Sequence, residues 1–305
     1  MLRLSKVVLI LILSSAFHFV AEAKDELKVT YIANEGFLLE SGGRKVLIDA
    51  LFGKEDLDFC DVPPRALLKE MLAAEPPFDD VNLVIVSHDH VDHFDEAMVI
   101  EYMIKNPHCE LIGTAQAVER LKKSENHESL KARIHGVTPP AGTKKTMTVN
   151  KIEVSVLPLK HCTYYETDKT TGEKVDRHRN EQNIGVIIKL GDQKILHIGD
   201  SAMDDVEEYK AFDLIKEKIE VAMLGSIFWK PFAQRVELVN KAIQPKSIIP
   251  MHLEKGDKDK YSAYKEAIQE SLPPITFFKK PKEKRTFPIP EIQRSSPSSQ
   301  GQSAP

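Results

Sequence analysis

Residues 81–93 read VNLVIVSHDHVDH, a stretch of mostly apolar residues followed by a cluster of histidines and aspartates. Its first half, 81–86, is an apolar run of strand length that ends at Ser87, so we predict a buried strand that feeds a loop. Its second half places three histidines and two aspartates within six residues. A single histidine is most often structural, but several potential ligands directly after a buried strand indicate a metal site.

The spacing of these ligands divides them into two pairs. Side chains at positions i and i+2 of an extended segment point to the same side, so we expect His88 and His90 to converge on one ion. Asp92 and His93 follow where the chain turns into a helix that we predict from Asp95, and they face a second ion alongside. Imidazole and carboxylate ligands suit zinc, with manganese and iron as alternatives.

On both sides of this stretch, the chain alternates between strands and helices in two successive halves. Apolar residues at strand spacing and at helical spacing predict the individual elements. The predicted strands are 27–33, 36–39, 45–49, 81–86, 146–149, 151–158, 183–190, 194–198, 221–224 and 247–250, and the predicted helices are 64–74, 95–105, 114–123, 203–212, 232–242 and 261–271. Their order predicts an α/β (α+β) domain in which two sheets pack together with helices outside.

Four more polar residues lie at or just after the ends of predicted strands: Asp49, His161, Asp200 and His252. Together with the H-x-H-x-D-H motif at 88–93, they make residues 27–255 resemble the metallo-β-lactamase-fold hydrolase superfamily. The sequence looks most like the general branch that contains the ascorbate-phosphate lactonase and the N-acyl-phosphatidylethanolamine phospholipase D. The continuous stretch from Asn183-Ile184-Gly185 to Gly199-Asp200 is the main reason for that choice.

This resemblance implies a four-layer αββα sandwich that holds two divalent metal ions. The implied ligands are His88, His90 and His161 for the first ion, Asp92, His93 and His252 for the second, and Asp200 as the bridge. A metal-bound hydroxide would be the nucleophile, because a water bound to such ions loses its proton near neutral pH. Asp92 would also act in catalysis by orienting that nucleophile.

Two further side chains are candidates for contact with the substrate. His178 lies in the charged segment 166–182 and competes with His161 as a ligand, but His161 follows a strand directly and is the better candidate. Trp229, in an aromatic cluster after a predicted strand, is placed to wall the pocket, with core packing as the alternative. Strand alternation places His197 on the face opposite Asp200, and we expect Cys162 to point away from His161.

The two ends of the chain differ from its middle. Residues 1–23 combine a positive start, an apolar stretch and an Ala-Glu-Ala site, which predicts a cleavable signal peptide, with an uncleaved anchor as the alternative. The domain would then span 24–278, and the basic, Pro/Ser/Gln-rich residues 279–305 predict a disordered tail. We therefore expect a periplasmic or secreted protein without stable membrane insertion after removal of the leader.

Composition narrows the function further. With 42 Lys and Arg against 46 Asp and Glu, the net charge of −4 argues against a nucleic-acid partner. Three cysteines cannot form a disulfide scaffold, although Cys60 and Cys109 could pair in an oxidising compartment. The sequence predicts an exported metal-dependent hydrolase that cleaves an ester, lactone or phosphodiester bond of a small molecule. Hydrolysis of a β-lactam or a thioester, and a non-catalytic metal-stabilised binding protein, are the alternatives.

Overall fold

The computed structural model describes residues 25–53, 56–228, 230–256, 266 and 269–288. In this part of the chain the strands, numbered in chain order, are β1 (Leu27–Ala33), β2 (Gly36–Ser41), β3 (Arg44–Ile48), β4 (Leu83–Val86), β5 (Glu110–Gly113), β6 (Ile134–Gly136), β7 (Lys145–Val149), β8 (Ile152–Pro158), β9 (Tyr165–Thr167), β10 (Lys174–Asp176), β11 (Ile184–Leu190), β12 (Gln193–His197), β13 (Val221–Leu224), β14 (Ser247–Pro250) and β15 (Lys284–Phe287).

The helices of the same residues are mostly short. They are α1 (Arg65–Leu72), α2 (Glu96–Lys105), α3 (Ala115–Leu121), α4 (His127–Leu130), α5 (Val206–Lys210), α6 (Leu214–Glu217) and α7 (Phe232–Leu238), with a π-helical turn at Val239–Ile243 and 3₁₀ turns at Lys131–Arg133 and Gln269–Ser271. The predicted helix 203–212 is shorter than expected, and most of the predicted helix 261–271 lies outside the described residues.

Two sheets carry the domain, and a small β9–β10 hairpin stands apart from them. The first sheet has the order β15-β1-β2-β3-β4-β5-β6, and the second has the order β14-β13-β12-β11-β8-β7. The neighbours from β3 to β6 run parallel, as do β12, β13 and β14. Both β8 and β12 are antiparallel to β11, so their carboxyl ends meet at the same edge of the second sheet.

Alternation along β4 shows how the layers pack. Leu83 and Ile85 join the large apolar cluster between the sheets, whereas Val84 and Val86 pack with α1, α2 and α3 on the other face. Both faces of this strand are therefore buried, which explains its unbroken apolar sequence. Tyr209 of α5 and Leu238 of α7 belong to the same cluster as the second sheet. The predicted αββα sandwich is confirmed.

The domain continues past residue 278, where we expected a disordered tail to begin. Strand β15 pairs antiparallel with β1, with Leu27 opposite Phe287, and the Phe287 side chain is fully buried. This pairing corrects the predicted boundary at 278, because one buried aromatic anchors an otherwise exposed, basic strand at the sheet edge. Residues 289–305 and the predicted signal peptide lie outside the described residues.

Two other expectations are decided by the described residues. All three cysteines of the chain are described and all are free, so Cys60 and Cys109 do not pair. Cys109 is buried in the apolar cluster beneath α1, α2 and α3. In the part of the chain that the structure describes, no helix has the length and apolar content needed to cross a bilayer.

Candidate metal centre

The candidate ligands all lie just beyond the carboxyl ends of strands. The 88–93 motif follows β4 in the first sheet, while His161, Asp200 and His252 follow β8, β12 and β14 in the second. Because β8, β12 and β14 all point toward one edge of the second sheet, their following loops are brought together there. The site is thus built on rigid strand ends, which place loop residues accurately.

Backbone turns fold the motif so that its residues face one another. The amides of His93 and Phe94 both donate to the carbonyl of His90, at 3.1 and 2.9 Å, which reverses the chain after His90. The Asp95 side chain then accepts from the amide of Met98 at 2.9 Å and caps α2. This early turn brings His93 back toward His88, with ring centroids 4.0 Å apart.

Asp200 and His161 are positioned together by their own backbone. The amide of Cys162 donates to the carbonyl of Asp200 at 2.8 Å, and His161 forms a β-bridge with Ser201. The Asn183 side chain accepts from the amide of Asp200 at 3.1 Å. Gly199, with φ of +53°, makes room for Asn183, since a Cβ atom at this position would collide with the Asn183 amide oxygen.

The carboxylate of Asp200 lies at the centre of the site. Its oxygens lie 3.7 Å from His88 Nε2, 3.4 Å from His93 Nε2, 3.6 Å from His161 Nε2 and 3.5 Å from His252 Nε2. Two ligand atoms that share a tetrahedral zinc at about 2.0–2.1 Å lie roughly 3.3 Å apart, close to these separations. The structure therefore gathers Asp200 with four of the five predicted histidine ligands at metal-ligand spacing.

The fifth histidine, His90, completes one of two sets. The ligand atoms of His88, His90, His161 and Asp200 all lie within 4.8 Å of one another. Those of Asp92, His93 and His252 form a second set at the same spacing. These are the groupings that the family resemblance implied, and every predicted ligand falls in one of them.

The ring nitrogens indicate which atom of each histidine is available to an ion. Nδ1 of His88 lies 3.0 Å from Ser87 Oγ, Nδ1 of His93 lies 3.2 Å from Asp49 Oδ2, and Nδ1 of His161 lies 2.8 Å from the Cys162 carbonyl. The Nε2 atoms of the same three histidines are buried without a hydrogen-bond partner among the described residues. Because unsatisfied buried polar atoms are costly, and metal-binding histidines typically hydrogen-bond through the other nitrogen, these residues fit an ion.

The histidines of the first set are in the neutral form that binds a metal ion at neutral pH. Burial holds the pKa of His88 well below its ordinary value, and it also lowers the pKa of His161. For His90, burial and the neighbouring His161 and His178 rings lower the pKa to about 4. All three imidazoles are thus neutral near pH 7, and a neutral imidazole is the form that binds an ion.

The second set behaves in the opposite way in the metal-free chain. Burial opposes the charged form of His252, but Asp200 and Asp92 outweigh it and raise the pKa to about 9. The same two carboxylates outweigh burial at His93 and raise its pKa well above the ordinary value. In the metal-free chain, protons on these two histidines therefore supply positive charge that a bound second cation would supply instead.

This difference predicts that the two ions bind with different pH dependence. His252 stabilises the metal-free fold fully below its unfolded pKa of 6.5, and this contribution is lost as pH rises through about 9. An ion that displaces this proton should bind at least about tenfold tighter for each pH unit gained between 6.5 and 8.5, because displacing the proton of His93 as well makes the dependence steeper. The first set, already neutral, should show a flat profile over that range.

Competition titration against a chromophoric chelator at pH 6.5, 7.5 and 8.5 measures how the affinity for each of the two ions depends on pH. His252→Ala provides the control, since it should remove the steep phase and keep the flat one. Equal slopes for the two ions would contradict this assignment of protons.

Two residues of the β1–β2 turn reach the site and were missed from the sequence. The Asn34 amide donates to Asp92 Oδ2 at 3.0 Å and holds that carboxylate in place. The Glu35 side chain is fully buried, with Oε2 lying 3.8 Å from His93 Nδ1, and burial and the nearby Asp200 raise its pKa well above the ordinary range. Gly225 makes room for this carboxyl, because a Cβ atom there would collide with Glu35 Oε1.

Asp49 is a third supporting residue, at the position where the family resemblance expected an aspartate. It is buried and accepts from the Ser87 amide at 2.8 Å and from the Ser87 hydroxyl at 2.5 Å. It also faces His93 Nδ1, so it fixes the ring of a candidate ligand from behind. Such an outer carboxylate orients the imidazole and raises its basicity.

The remaining predicted side chains fall at different places. His178 is half-buried, and its ring centroid lies 4.5 Å from that of His161 and 4.8 Å from that of His90. The Cys162 sulfur lies 3.5 Å from His161 Nδ1, so our expectation that it points away from His161 is wrong: His161 forms a single β-bridge and does not lie in a regular strand. His197 is buried in the core, with Nε2 lying 3.1 Å from the Glu35 carbonyl. Trp229 lies outside the described residues.

Known proteins share this architecture. The metallo-beta-lactamase fold protein YhfI from Bacillus subtilis aligns with 86% of this chain and 100% of its own, with a TM-score of 0.57 and 16% identity. Igni18, a metallo hydrolase from Ignicoccus hospitalis, aligns with 86% and 98% of the two chains, with a TM-score of 0.53 and 18% identity. At these identities the likeness concerns the fold.

Sequence relatives extend over most of the domain. A UPF0173 metal-dependent hydrolase of Staphylococcus haemolyticus is 22% identical over 230 residues, covering 74% of this chain and 85% of its own. A UPF0173 metal-dependent hydrolase of Pelotomaculum thermopropionicum is 25% identical over 229 residues, covering 74% and 84%.

An αββα sandwich with histidines and aspartates gathered at its strand ends defines a class of metal-dependent hydrolases. Residues 44–253 match the family described as the beta-lactamase superfamily domain, and the chain belongs to that family. It is accordingly a metal-dependent hydrolase of the metallo-β-lactamase superfamily.

Proposed function

We propose that the chain is a dinuclear hydrolase that cleaves an ester, lactone or phosphodiester bond in a small molecule. The position of Asp200 carries the proposal, because its carboxylate lies within 3.7 Å of histidines from both candidate sets. A carboxylate between two groups of imidazoles suits the bridging ligand of a pair of ions. Zinc fits these ligands well, and manganese and iron are the alternatives.

Bound ions would supply hydroxide at neutral pH and a Lewis acid for the developing oxyanion. The chain's own residues supply orientation. Asp92 lines the cavity while Asn34 holds one of its oxygens, so this carboxylate is placed to orient the attacking group. Asp49 keeps the His93 ring in position from the opposite side. We assign His178 to substrate contact, because it lies on the cavity wall next to His90.

Metal removal and restoration test this function. Zinc-loaded chain should hydrolyse members of a panel of p-nitrophenyl acetate, a simple lactone and bis-p-nitrophenyl phosphate. Treatment with a chelator should abolish the turnover, and two equivalents of zinc should restore it. Turnover that survives complete metal removal, or no turnover on any of the panel, would contradict the proposal.

The other reactions considered from the sequence are arms of the same experiment. Nitrocefin reports β-lactam hydrolysis, and S-lactoylglutathione reports thioester hydrolysis. A preference for either substrate over the esters and lactones would replace the proposed bond class and leave the metal centre unchanged. The non-catalytic alternative is disfavoured, since the relatives are named as hydrolases.

We also propose that the chain is exported. The support is the composition of residues 1–23, with a positive start, an almost entirely apolar stretch and a small-residue cleavage site. Amino-terminal sequencing of protein recovered from outside the cytoplasm should begin at Lys24. Recovery of a chain that starts at Met1 and stays in the cytoplasm would exclude export.

A further inference from the structure

One cavity opens directly onto the candidate metal centre. It measures about 740 Å³, and its walls include His90, Asp92, Asp200 and His252. This volume is typical of a site that encloses most of a small molecule. The residues on the outer part of its wall therefore indicate what kind of substrate would reach the ligands.

The outer wall exposes large apolar side chains to solvent. Phe59, Val91 and Tyr164 line the cavity, and their exposed fractions are 53%, 57% and 51%. Among the described residues only six large hydrophobic side chains are exposed, so half of them surround this one opening. Exposed apolar groups collected at one place, and from three separate segments of the chain, mark a surface that is covered by a ligand.

The apolar wall begins next to the ligands themselves. Val91 lies between His90 and Asp92 in sequence, yet it is exposed while Asp92 is buried. Tyr164 stands beside His178, with ring centroids 5.4 Å apart, and His178 in turn lies against His90. An apolar group on a substrate would therefore be in contact with this wall while its reacting bond lies at the ligands.

The charges in the cavity disfavour an anionic substrate. Among the described residues of its lining, Arg120 is the only lysine or arginine. Its guanidinium is already engaged by the Asp89 carbonyl and the Glu96 carboxylate, and it packs over the Phe94 ring at 4.9 Å. Asp89 and Glu181 add acidic groups to the lining, so its described residues offer a phosphate diester no unengaged lysine or arginine.

Building on the proposed function, we propose that the substrate is an uncharged ester or lactone with an apolar group of medium-chain alkyl or aromatic size. That group packs against Phe59, Val91 and Tyr164 while the carbonyl lies at the ligands. Water adds across the acyl C–O bond, which gives a carboxylate, an alcohol and one proton. This narrows the bond classes of the proposed function by excluding the phosphodiester.

Binding of inert analogues tests the wall without requiring turnover. Calorimetry on the zinc-loaded chain compares acetohydroxamate, octanohydroxamate and suberic monohydroxamate, whose tail has similar length but ends in a carboxylate. Because each buried methylene strengthens binding, octanohydroxamate should bind at least about tenfold tighter than acetohydroxamate. The charged tail should lose most of that gain.

Variants of the cavity wall show which side chains are responsible for the tighter binding of the long hydroxamate. Phe59→Ala and Tyr164→Ala should each reduce the ratio between the long and short hydroxamates about threefold or more. Tyr165→Ala is the matched control, since Tyr165 is the neighbouring residue, is similarly exposed at 60%, and is not part of the cavity lining. This control should leave the ratio unchanged.

The outcomes separate the two proposals. The proposed apolar wall would be overturned if the two neutral hydroxamates bound equally well, if the charged analogue bound more tightly, or if none of the three bound. It would also be overturned if Tyr165→Ala had the same effect as the variants of the wall. Equal rates of hydrolysis of p-nitrophenyl acetate and p-nitrophenyl octanoate would overturn it too, while leaving the proposed function intact. Long-chain preference in binding without hydrolysis would support the wall and contradict the proposed function.

Discussion

An Asp200→Ala chain is expected to fold and to lose at least about a hundredfold of its hydrolytic activity. The carboxylate contacts histidines of both candidate sets, so its removal weakens the binding of both ions together. Loss of an outer-shell partner of a metal ligand already costs 10- to 100-fold in affinity or activity, and a direct ligand should cost more. Metal content by mass spectrometry and steady-state kinetics on the same preparation measure both losses.

The fold should survive because Asp200 follows β12 and does not form part of the apolar core. Asp192→Ala is the control, since this exposed aspartate lies in the hairpin turn at the other end of β12. His88→Ala should follow the Asp200 variant in losing metal and activity. Full activity in either variant would remove these residues from the centre.

Replacement of Asp49 by alanine is expected to lower both the stability of the fold and the affinity for metal. Asp49→Ala leaves the Ser87 amide, the Ser87 hydroxyl and the His93 ring N–H without their buried acceptor. Each unsatisfied buried group costs about 1–3 kcal/mol, so we expect a loss of about 3 kcal/mol in the free energy of unfolding. That loss corresponds to a fall in Tm of roughly 10 °C for a domain of this size.

The Asp49→Asn variant separates the two roles. Its remaining oxygen still accepts hydrogen bonds, so stability should fall less, while the loss of the charge should weaken metal binding through His93 about 10- to 100-fold. Glu237→Ala is the control, because this exposed helical residue forms a surface ion pair with Lys241, and such pairs contribute little to stability. An Asp49→Ala chain as stable as the control would show that the buried network does not hold the motif.

Most of the fold could be predicted because its strands are long enough to show their pattern. Strand β4 is buried on both faces and has a continuous apolar sequence, which is why it anchored the prediction. Strand β15 was missed, since three of its four residues are lysine, arginine and threonine and its single buried residue precedes a proline. The β9–β10 hairpin was missed for a related reason: its residues are mostly exposed, so no apolar alternation marks them.

The residues of the site likewise divide into those that could be predicted from the sequence and those that could not. His88, His90, Asp92 and His93 are adjacent in sequence, so their spacing alone indicated ligands. Asn34 and Glu35 carry no such signal: they lie in a tight turn, and their role depends on contacts with residues 58 or more positions away. The buried position of Glu35 in particular contradicts the usual rule that a turn glutamate is solvated.

The sequence left two alternatives for the aromatic cluster at 228–232, the pocket wall and core packing. Phe228 is buried and stacks on Phe277 with centroids 5.6 Å apart, as core packing requires, while Trp229 lies outside the described residues. Phe59 and Tyr164, which do line the cavity, lie in largely polar stretches of sequence that are far apart in the chain. Only the folded chain brings such isolated residues together.

We propose that one centre, bridged by Asp200, holds two ions. A crystal structure of the zinc-reconstituted chain, with anomalous scattering recorded at the zinc edge, tests this proposal. We predict two peaks on either side of the Asp200 carboxylate, one bound by His88, His90 and His161 and the other by Asp92, His93 and His252. A single peak, or zinc bound away from these residues, would contradict the account.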